Sequence, residues 1–229
     1  AGGYSVCTPA KSPESEAAGQ DICSDEPDHG KALAVSVCTI PQLKAAADWL
    51  SGEKAHRKLR FYIDGDLFLS DRQKVLDICN NMPAGSVFYL ALPYILRESD
   101  RNYLETLSSA MTESGIFRGF LVRSMDGLGF VRNLHCRTDA GVYAWNRWAV
   151  RELASFAEGF CLPYELKGSE QTGVTDGLPC EKIVYGRIPM MITANCLFRT
   201  FRQCRKKDVA PGPNTQGNGR RSRKYTDES

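Results

Sequence analysis

The hydrophobic pattern of the chain alternates between short apolar runs and longer amphipathic segments. The runs ALAVSVCT, KLRFYID, SVFYLALP and FRGFLVRSM are rich in β-branched and aromatic residues, which is typical of strands. The segments PQLKAAADWLSG, SDRQKVLDICNNM, SDRNYLETLSSAMTESG and NRWAVRELASFAEG place apolar residues at helical spacing and begin with capping residues or proline. GVYAWN, FCLPYEL, EKIVYGR and IPMMITANC are also predicted as strands or extended segments, and DGLGF as a turn.

Regular alternation of strands and helices with short links predicts an α/β fold with parallel strands and crossover helices. The strands are predicted to be apolar throughout, as expected where both faces of a sheet are covered. A doubly wound sheet and a barrel both fit this order, but no G-x-G-x-x-G motif follows the first strand, which disfavours a dinucleotide-binding sheet. We therefore expect a (β/α) TIM-like barrel, complete or lacking part of its start.

The composition divides the chain into three parts. Residues 1–30 are rich in Ser, Pro, Gly, Asp and Glu and are predicted to be a flexible linker or loop, 31–208 form the barrel, and 209–229 form a disordered basic tail. The net charge of +2 gives no argument for a nucleic-acid or membrane partner, and no apolar run is long enough to span a bilayer. Nine scattered cysteines without C-x-x-C spacing indicate mostly buried, reduced thiols in a cytoplasmic protein.

Polar residues gather where the predicted strands end. Active sites of (β/α) barrels lie at the carboxyl ends of the strands, so these residues are expected to share one rim. Two or more arginines there would suit a planar anion such as a carboxylate or phosphate. Asp126 and Asn146 can alternatively be helix N-caps, and for Asp126 the cap is the favoured interpretation. The candidates are Asp64, Arg97, Glu98, Arg123, Asp126, Asn146, Arg147, Glu165, Tyr185, Arg187, Asn195 and Cys196.

Several common catalytic arrangements have no support in the sequence. His29, His56 and His135 lie in predicted loops away from the strand ends, so no histidine-based triad is indicated. Neither H-E-x-x-H nor G-x-S-x-G occurs, which disfavours the usual metalloprotease and serine hydrolase sites.

The strings FLVRSMDGLGF, VYAWNRWAVREL, PYEL and EKIVYGRIPMMITANC, in this order, resemble the C-terminal barrel portion of the peptidase U32 family, the collagenase-like proteases. The resemblance covers roughly residues 32–204, and YGRIPMMITANC is its most specific part. Lys167 stands where the family commonly has Asn, and the cysteine-rich segments that flank this region in full-length members are absent.

The resemblance implies a protease acting on peptides. The strand-end positions supply its candidate catalytic residues, which are Arg97, Arg123, Asn146, Glu165, Tyr185 and Arg187. The resemblance also implies an alternative, since other members hydroxylate pyrimidines of transfer or ribosomal RNA in a reaction associated with prephenate, a carboxylate co-substrate. A related branch holds an iron–sulfur cluster through four cysteines, so Cys196 and Cys204 become candidate ligands, with Cys161, Cys180 or residues outside this chain completing the set.

Three functional hypotheses follow from these observations. The first is a peptide hydrolase, for which the sequence reveals no pair of nucleophile and base. The second is an RNA-hydroxylating enzyme with an iron–sulfur site, for which the basic tail RRSRK would add weak electrostatic affinity for RNA. The third is a non-catalytic fragment or binding module, because the flanking motifs of the family are missing.

Overall fold

The computed structural model describes residues 32–52, 59–131 and 133–192. Strands and helices alternate along this part of the chain. The strands are β1 (Leu33–Val37), β2 (Leu59–Asp64), β3 (Ser86–Ala91), β4 (Phe117–Val122), β5 (Cys136–Thr138), β6 (Phe160–Cys161) and β7 (Cys180–Glu181). The helices are α1 (Ile40–Gly52), α2 (Gly65–Ser70), α3 (Arg72–Asn80), α4 (Arg101–Ser114), α5 (Met125–Phe130), α6 (Arg147–Leu153) and α7 (Gly168–Gln171), with 3₁₀ turns at Glu98–Asp100 and Ala140–Val142.

All seven strands are parallel and follow one another in the sheet in chain order, from β1 to β7. The sheet curves strongly. This is shown by the contacts of Arg60 and Tyr62 on β2 with Glu181 on β7, which is five places away in the strand order. The result is a nearly closed, barrel-shaped sheet with alternating helices. This confirms the predicted α/β fold of the TIM-like barrel type.

The main core lies between the outer face of the sheet and the helices. Alternate strand residues point outward, and Phe61, Phe120 and Phe160 are fully buried there. The helices contribute apolar positions at helical spacing: on α4 these are Tyr103, Leu104, Leu107, Ala110 and Met111. Helix α4 ends at Gly115, whose positive φ of 66° suits a residue without a side chain.

The inner face of the sheet corrects the prediction of strands that are apolar throughout. On β2, Arg60 and Tyr62 alternate with the outward residues and point into the barrel, where Glu181 binds both side chains. Arg137 on β5 joins the same layer, since its Nε donates to the Tyr62 hydroxyl at 3.0 Å and its Nη2 lies 3.1 Å from Glu181. Tyr89 lies beside Tyr62, with 5.8 Å between the ring centroids.

Three local predictions are wrong. GVYAWN is not a strand: Ala140–Val142 form a 3₁₀ turn, and Tyr143 takes a left-handed conformation with φ 55°. DGLGF is not a turn, since all five residues lie in helix α5 and both glycines adopt helical conformations. Gly127 packs into the core, whereas Gly129 faces open space. Residues 182–192 contain no strand, so the extended segments expected there reach only as far as the two residues of β7.

Within the described ranges, none of the helices has the length and apolar character needed to cross a membrane. The longest of them, α4, has 14 residues and presents a mixed surface.

Candidate functional site

A large open cavity occupies the end of the barrel where the strands terminate. Its volume is about 1940 Å³. We call the open end beside Asp64, Arg123 and Asp139 the mouth, and from there the cavity continues into the interior as far as Tyr62 and Glu181. Polar side chains from several strand ends border it, among them Asp64, Arg123 and Asp139. This is the end of a (β/α) barrel at which catalytic residues are placed by the loops.

Arg123 is the centre of the mouth. It follows β4, and only 6% of its surface is exposed. Its Nη1 donates to Asp64 Oδ2 at 3.2 Å, its Nε lies 3.6 Å from Asp139 Oδ2, and its guanidinium stands 4.5 Å from the ring centroid of Tyr94. Burial opposes the charged form, but Tyr94, Asp64 and Asp139 raise the pKa of Arg123 above its ordinary value. The arginine is therefore a fixed cation between two carboxylates.

The two carboxylates come from different strands and are held by local backbone contacts. Asp64 ends β2 and caps α2, accepting from the backbone N–H of Asp66 at 3.1 Å. Asp139 follows β5 and accepts from the backbone N–H of Ala140 at 2.7 Å. Burial raises the pKa of Asp139 above its ordinary value, although Ala140 and Arg123 oppose the shift. Asp139 consequently keeps its proton to a higher pH than an exposed aspartate.

Cysteine thiols also line the cavity, and none of those described is activated. Cys38 is exposed, but desolvation by its neighbours, followed by the charge of Asp64, raises its pKa above the ordinary value, although Arg123 opposes the shift. Burial and Asp139 raise the pKa of Cys161 to about 12. These thiols are protonated near neutral pH, so they are poor nucleophiles.

Four of the predicted catalytic residues border the cavity. Arg123 is buried at its centre, whereas Arg97, Tyr185 and Arg187 are exposed around it. Arg97 caps a 3₁₀ turn, where its backbone N–H donates to Asp100. The strand-end argument thus brings these residues to one end of the molecule, and Arg123 is the one held by buried partners.

Asn146 and Glu165 lie outside the cavity. Asn146 is the N-cap of α6, where its side chain accepts from the backbone N–H groups of Trp148 and Ala149 at 3.0 Å each. Glu165 is exposed and accepts a long hydrogen bond of 3.4 Å from the Tyr143 hydroxyl. Asp126 is in the first turn of α5, whose N-cap is Ser124, so the cap interpretation of Asp126 is wrong.

The candidate metal ligands Cys196 and Cys204, and also Asn195, lie outside the described residues. In the part of the chain that is described, no three His, Cys, Asp or Glu side chains are close enough together to hold a metal ion. Cys38, Cys161 and Cys180 border one cavity but do not form such a group. An iron–sulfur cluster would therefore need ligands beyond the described residues.

Asp139, Tyr94 and Cys38 were not predicted as site residues. Asp139 was missed because the strand before it, CRT, has only three residues and carries an arginine. Tyr94 lies beyond the end of β3 at Ala91, in an apolar stretch of sequence that continues the strand pattern and gives an aromatic residue no distinguishing signal. The signal that could have found Asp139 is the order Arg-Thr-Asp-Ala-Gly, which places an acidic residue just before the small residues of a turn.

Comparison with family models, curated proteins and solved structures finds no match to this chain. The resemblance to the peptidase U32 family therefore stays a prediction from the sequence.

Proposed function

We propose that this chain is a peptide-bond hydrolase of the peptidase U32 type, which uses Asp64 and Asp139 as its acid–base pair. The observation that carries the proposal is the convergence of these two carboxylates on the buried Arg123, at the mouth of an open cavity. The cavity volume of about 1940 Å³ is sufficient for a segment of an extended peptide.

The roles of the two carboxylates follow from their surroundings. The Asp64 carboxylate acts as general base and takes a proton from the attacking water, whose oxygen bonds to the scissile carbonyl carbon. Asp139 is the general acid of this proposal and donates a proton to the leaving amine as the C–N bond breaks, a role favoured by burial, which raises the pKa of Asp139 above its ordinary value. One water is consumed, and a proton passing from Asp64 to Asp139 through solvent restores the starting state. Arg123 holds both carboxylates in place.

A cysteine-based mechanism has weaker support in this cavity. Desolvation and the neighbouring charge of Asp64 raise the pKa of Cys38, so this exposed thiol is not a ready nucleophile. His135, the described histidine, precedes β5 at the opposite end of the barrel and pairs with Glu158 at 2.5 Å. It is therefore not available as a base for a thiol at the mouth.

RNA hydroxylation is the second candidate function. The observation that favours it is the presence of three cysteines, Cys38, Cys161 and Cys180, along the same cavity. A carboxylate co-substrate such as prephenate would have to compete with Asp64 and Asp139 for Arg123, since both already pair with it. This competition makes the hydrolase the better-supported proposal.

Hydrolysis of a fluorogenic peptide library tests the proposal. Asp64→Asn and Asp139→Asn are each expected to lower kcat/KM by about 10²-fold or more, as is typical for loss of a general acid or base. Cys38→Ala is expected to keep activity within a few-fold. Glu113→Gln, which changes an exposed carboxylate paired with Arg72, serves as the matched control.

The outcomes separate the candidates. Activity that survives both aspartate substitutions but is lost in Cys38→Ala would replace the carboxylate mechanism with a thiol mechanism. The second function would be established by two results together. The protein would show no peptidase activity, and deletion of its gene would remove a hydroxylated pyrimidine from RNA, as detected by mass spectrometry.

A further inference from the structure

An exposed aromatic surface is carried by the same loop as Asp139. This loop connects β5 to α6, and it begins at Asp139 and ends at the cap residue Asn146. Tyr143 and Trp145 project from it with about half of their surfaces exposed. We call these two side chains the aromatic platform. Because the loop follows the carboxyl end of a strand, the platform lies at the functional end of the barrel.

The two rings are arranged as a stacking surface. They are parallel to within 10°, and their centroids are 6.4 Å apart. Exposed aromatic side chains of this size are costly to leave in water, and pairs of aromatic rings prefer offset stacked or edge-on arrangements. An aromatic ring of a bound molecule can therefore stack on this surface.

The backbone at Tyr143 is held in an unfavourable conformation. Its φ is 55°, and among the described residues Tyr143 is the one residue other than glycine with a positive φ. Such a φ is uncommon for an aromatic residue. The Tyr143 hydroxyl donates a hydrogen bond to Glu165 at 3.4 Å. Tyr164, which directly precedes Glu165 in the sequence, lines the cavity. Strain of this kind concentrates at functional sites, and the hydrogen bond joins the platform to the residue that follows Tyr164 of the cavity wall.

The charges near the platform do not favour a polyanion. Arg151 forms an ion pair with Asp176, and Arg147 lies 3.9 Å from the same carboxylate. Both guanidinium groups also lie over the ring of Trp148. With Glu165 beside Tyr143, the surface carries both signs of charge. A neutral ring suits it better than a chain of phosphates.

From these observations we infer that the aromatic platform determines substrate specificity by stacking on an aromatic side chain of the bound peptide. The inference rests on the proposed peptide hydrolase, because the platform and Asp139 belong to one loop. Tyr143 and Trp145 are binding residues in this scheme, and they take no part in proton transfer.

Binding is measured separately from cleavage, by NMR titration of the full chain in the Asp139→Asn background. The sequence has three tryptophans, so three indole N–H signals report on Trp49, Trp145 and Trp148. The probes are capped pentapeptides of glycine with Phe, Leu or Pro at the centre, and a single-stranded oligouridylate. The Phe peptide is expected to shift the Trp145 signal and to bind about 3- to 10-fold more tightly than the Leu peptide.

Substitutions in the platform provide the controls. Trp145→Ala, and Tyr143→Asn, which suits a positive φ, are each expected to remove the preference for Phe. Trp49→Ala changes an exposed tryptophan on α1 and is expected to leave the preference unchanged. Equal affinity for the Phe and Leu peptides, stronger binding of the Pro peptide or the oligouridylate, or no binding would each overturn the inference.

The two proposals fail in different ways. A preference for Phe in binding, without cleavage by the wild-type chain, would sink the hydrolase but leave the platform as a site for aromatic groups. Cleavage that depends on Asp139 but shows no preference for Phe would keep the hydrolase and refute the platform.

Discussion

At the scale of single residues, the buried charges show how burial and partners set the behaviour of a side chain. Glu158 lies just before β6 and accepts from the Tyr89 hydroxyl at 2.7 Å and from Arg118 and His135. Burial opposes its charge, but these donors prevail and lower its pKa below the ordinary value. At the mouth, burial prevails instead and raises the pKa of Asp139. The pKa values of these two carboxyl groups are thus shifted in opposite directions at the two ends of the barrel.

The Glu158 carboxylate is expected to stabilise the fold above its ordinary pKa of 4.5, and this contribution is lost as the pH falls below 4.5 through the lowered folded value. Glu158→Gln should cost about 1.5–3 kcal/mol of unfolding free energy at pH 7. The difference from wild type should shrink as the pH falls below 4.5, as measured by urea unfolding. A cost that is independent of pH would contradict this, and a His135→Asn background separates the contribution of the histidine.

At the scale of elements, close contacts between neighbouring strands depend on glycine. Gly119 on β4 lies against the backbone of His135, and a Cβ added there would overlap the His135 carbonyl oxygen, which accepts from the Phe120 N–H. The same contact fixes the pairing of β4 with β5, and β4 and β5 deliver Arg123 and Asp139 to the mouth. The geometry of the site therefore depends on a position that carries no functional group.

Gly119→Ala is expected to lower the free energy of unfolding by about 1–3 kcal/mol, because backbone on two strands must move apart. Gly129→Ala is the matched control: Gly129 lies on α5 with open space around it, and alanine there should stabilise the helix by about 0.5–1 kcal/mol. Both values come from denaturant unfolding. Equal effects of the two substitutions would contradict the strand contact.

At the scale of the whole molecule, the polar layer inside the barrel connects strands that are distant in the sheet. Glu181 on β7 binds Arg60 and Tyr62 on β2 and Arg137 on β5. All four side chains are largely buried, so the layer has little water to replace a lost partner. It acts across the interior and holds the curved sheet together where only two residues of β7 pair with β6.

Glu181→Gln is expected to reduce the free energy of unfolding by about 3–5 kcal/mol, because it leaves two buried arginines without their shared carboxylate. Thermal and urea unfolding measure the effect. Glu113→Gln, which removes an exposed partner of Arg72, should cost at most about 1 kcal/mol. If the two substitutions had similar costs, the interior layer would not be a main support of the barrel.

The sequence by itself determined the alternation of strands and helices, the parallel α/β barrel and the strand-end position of Arg123. These features follow from short-range periodicity, because a helix or strand buries one face according to residues a few positions apart. The strand proposed for GVYAWN failed because its apolar residues are accounted for by a 3₁₀ turn and an exposed loop. Local pattern cannot distinguish these from a buried strand.

Only the tertiary structure decided which polar residues meet. Arg123 pairs with Asp64 across 59 positions of sequence, and Arg60 with Glu181 across 121. No local pattern encodes such pairs, because they depend on the curvature of the sheet and on which strands face each other. The sequence supplied the charges at the strand ends, and the parallel order of the strands in the curved sheet made Asp64, Arg123 and Asp139 one site.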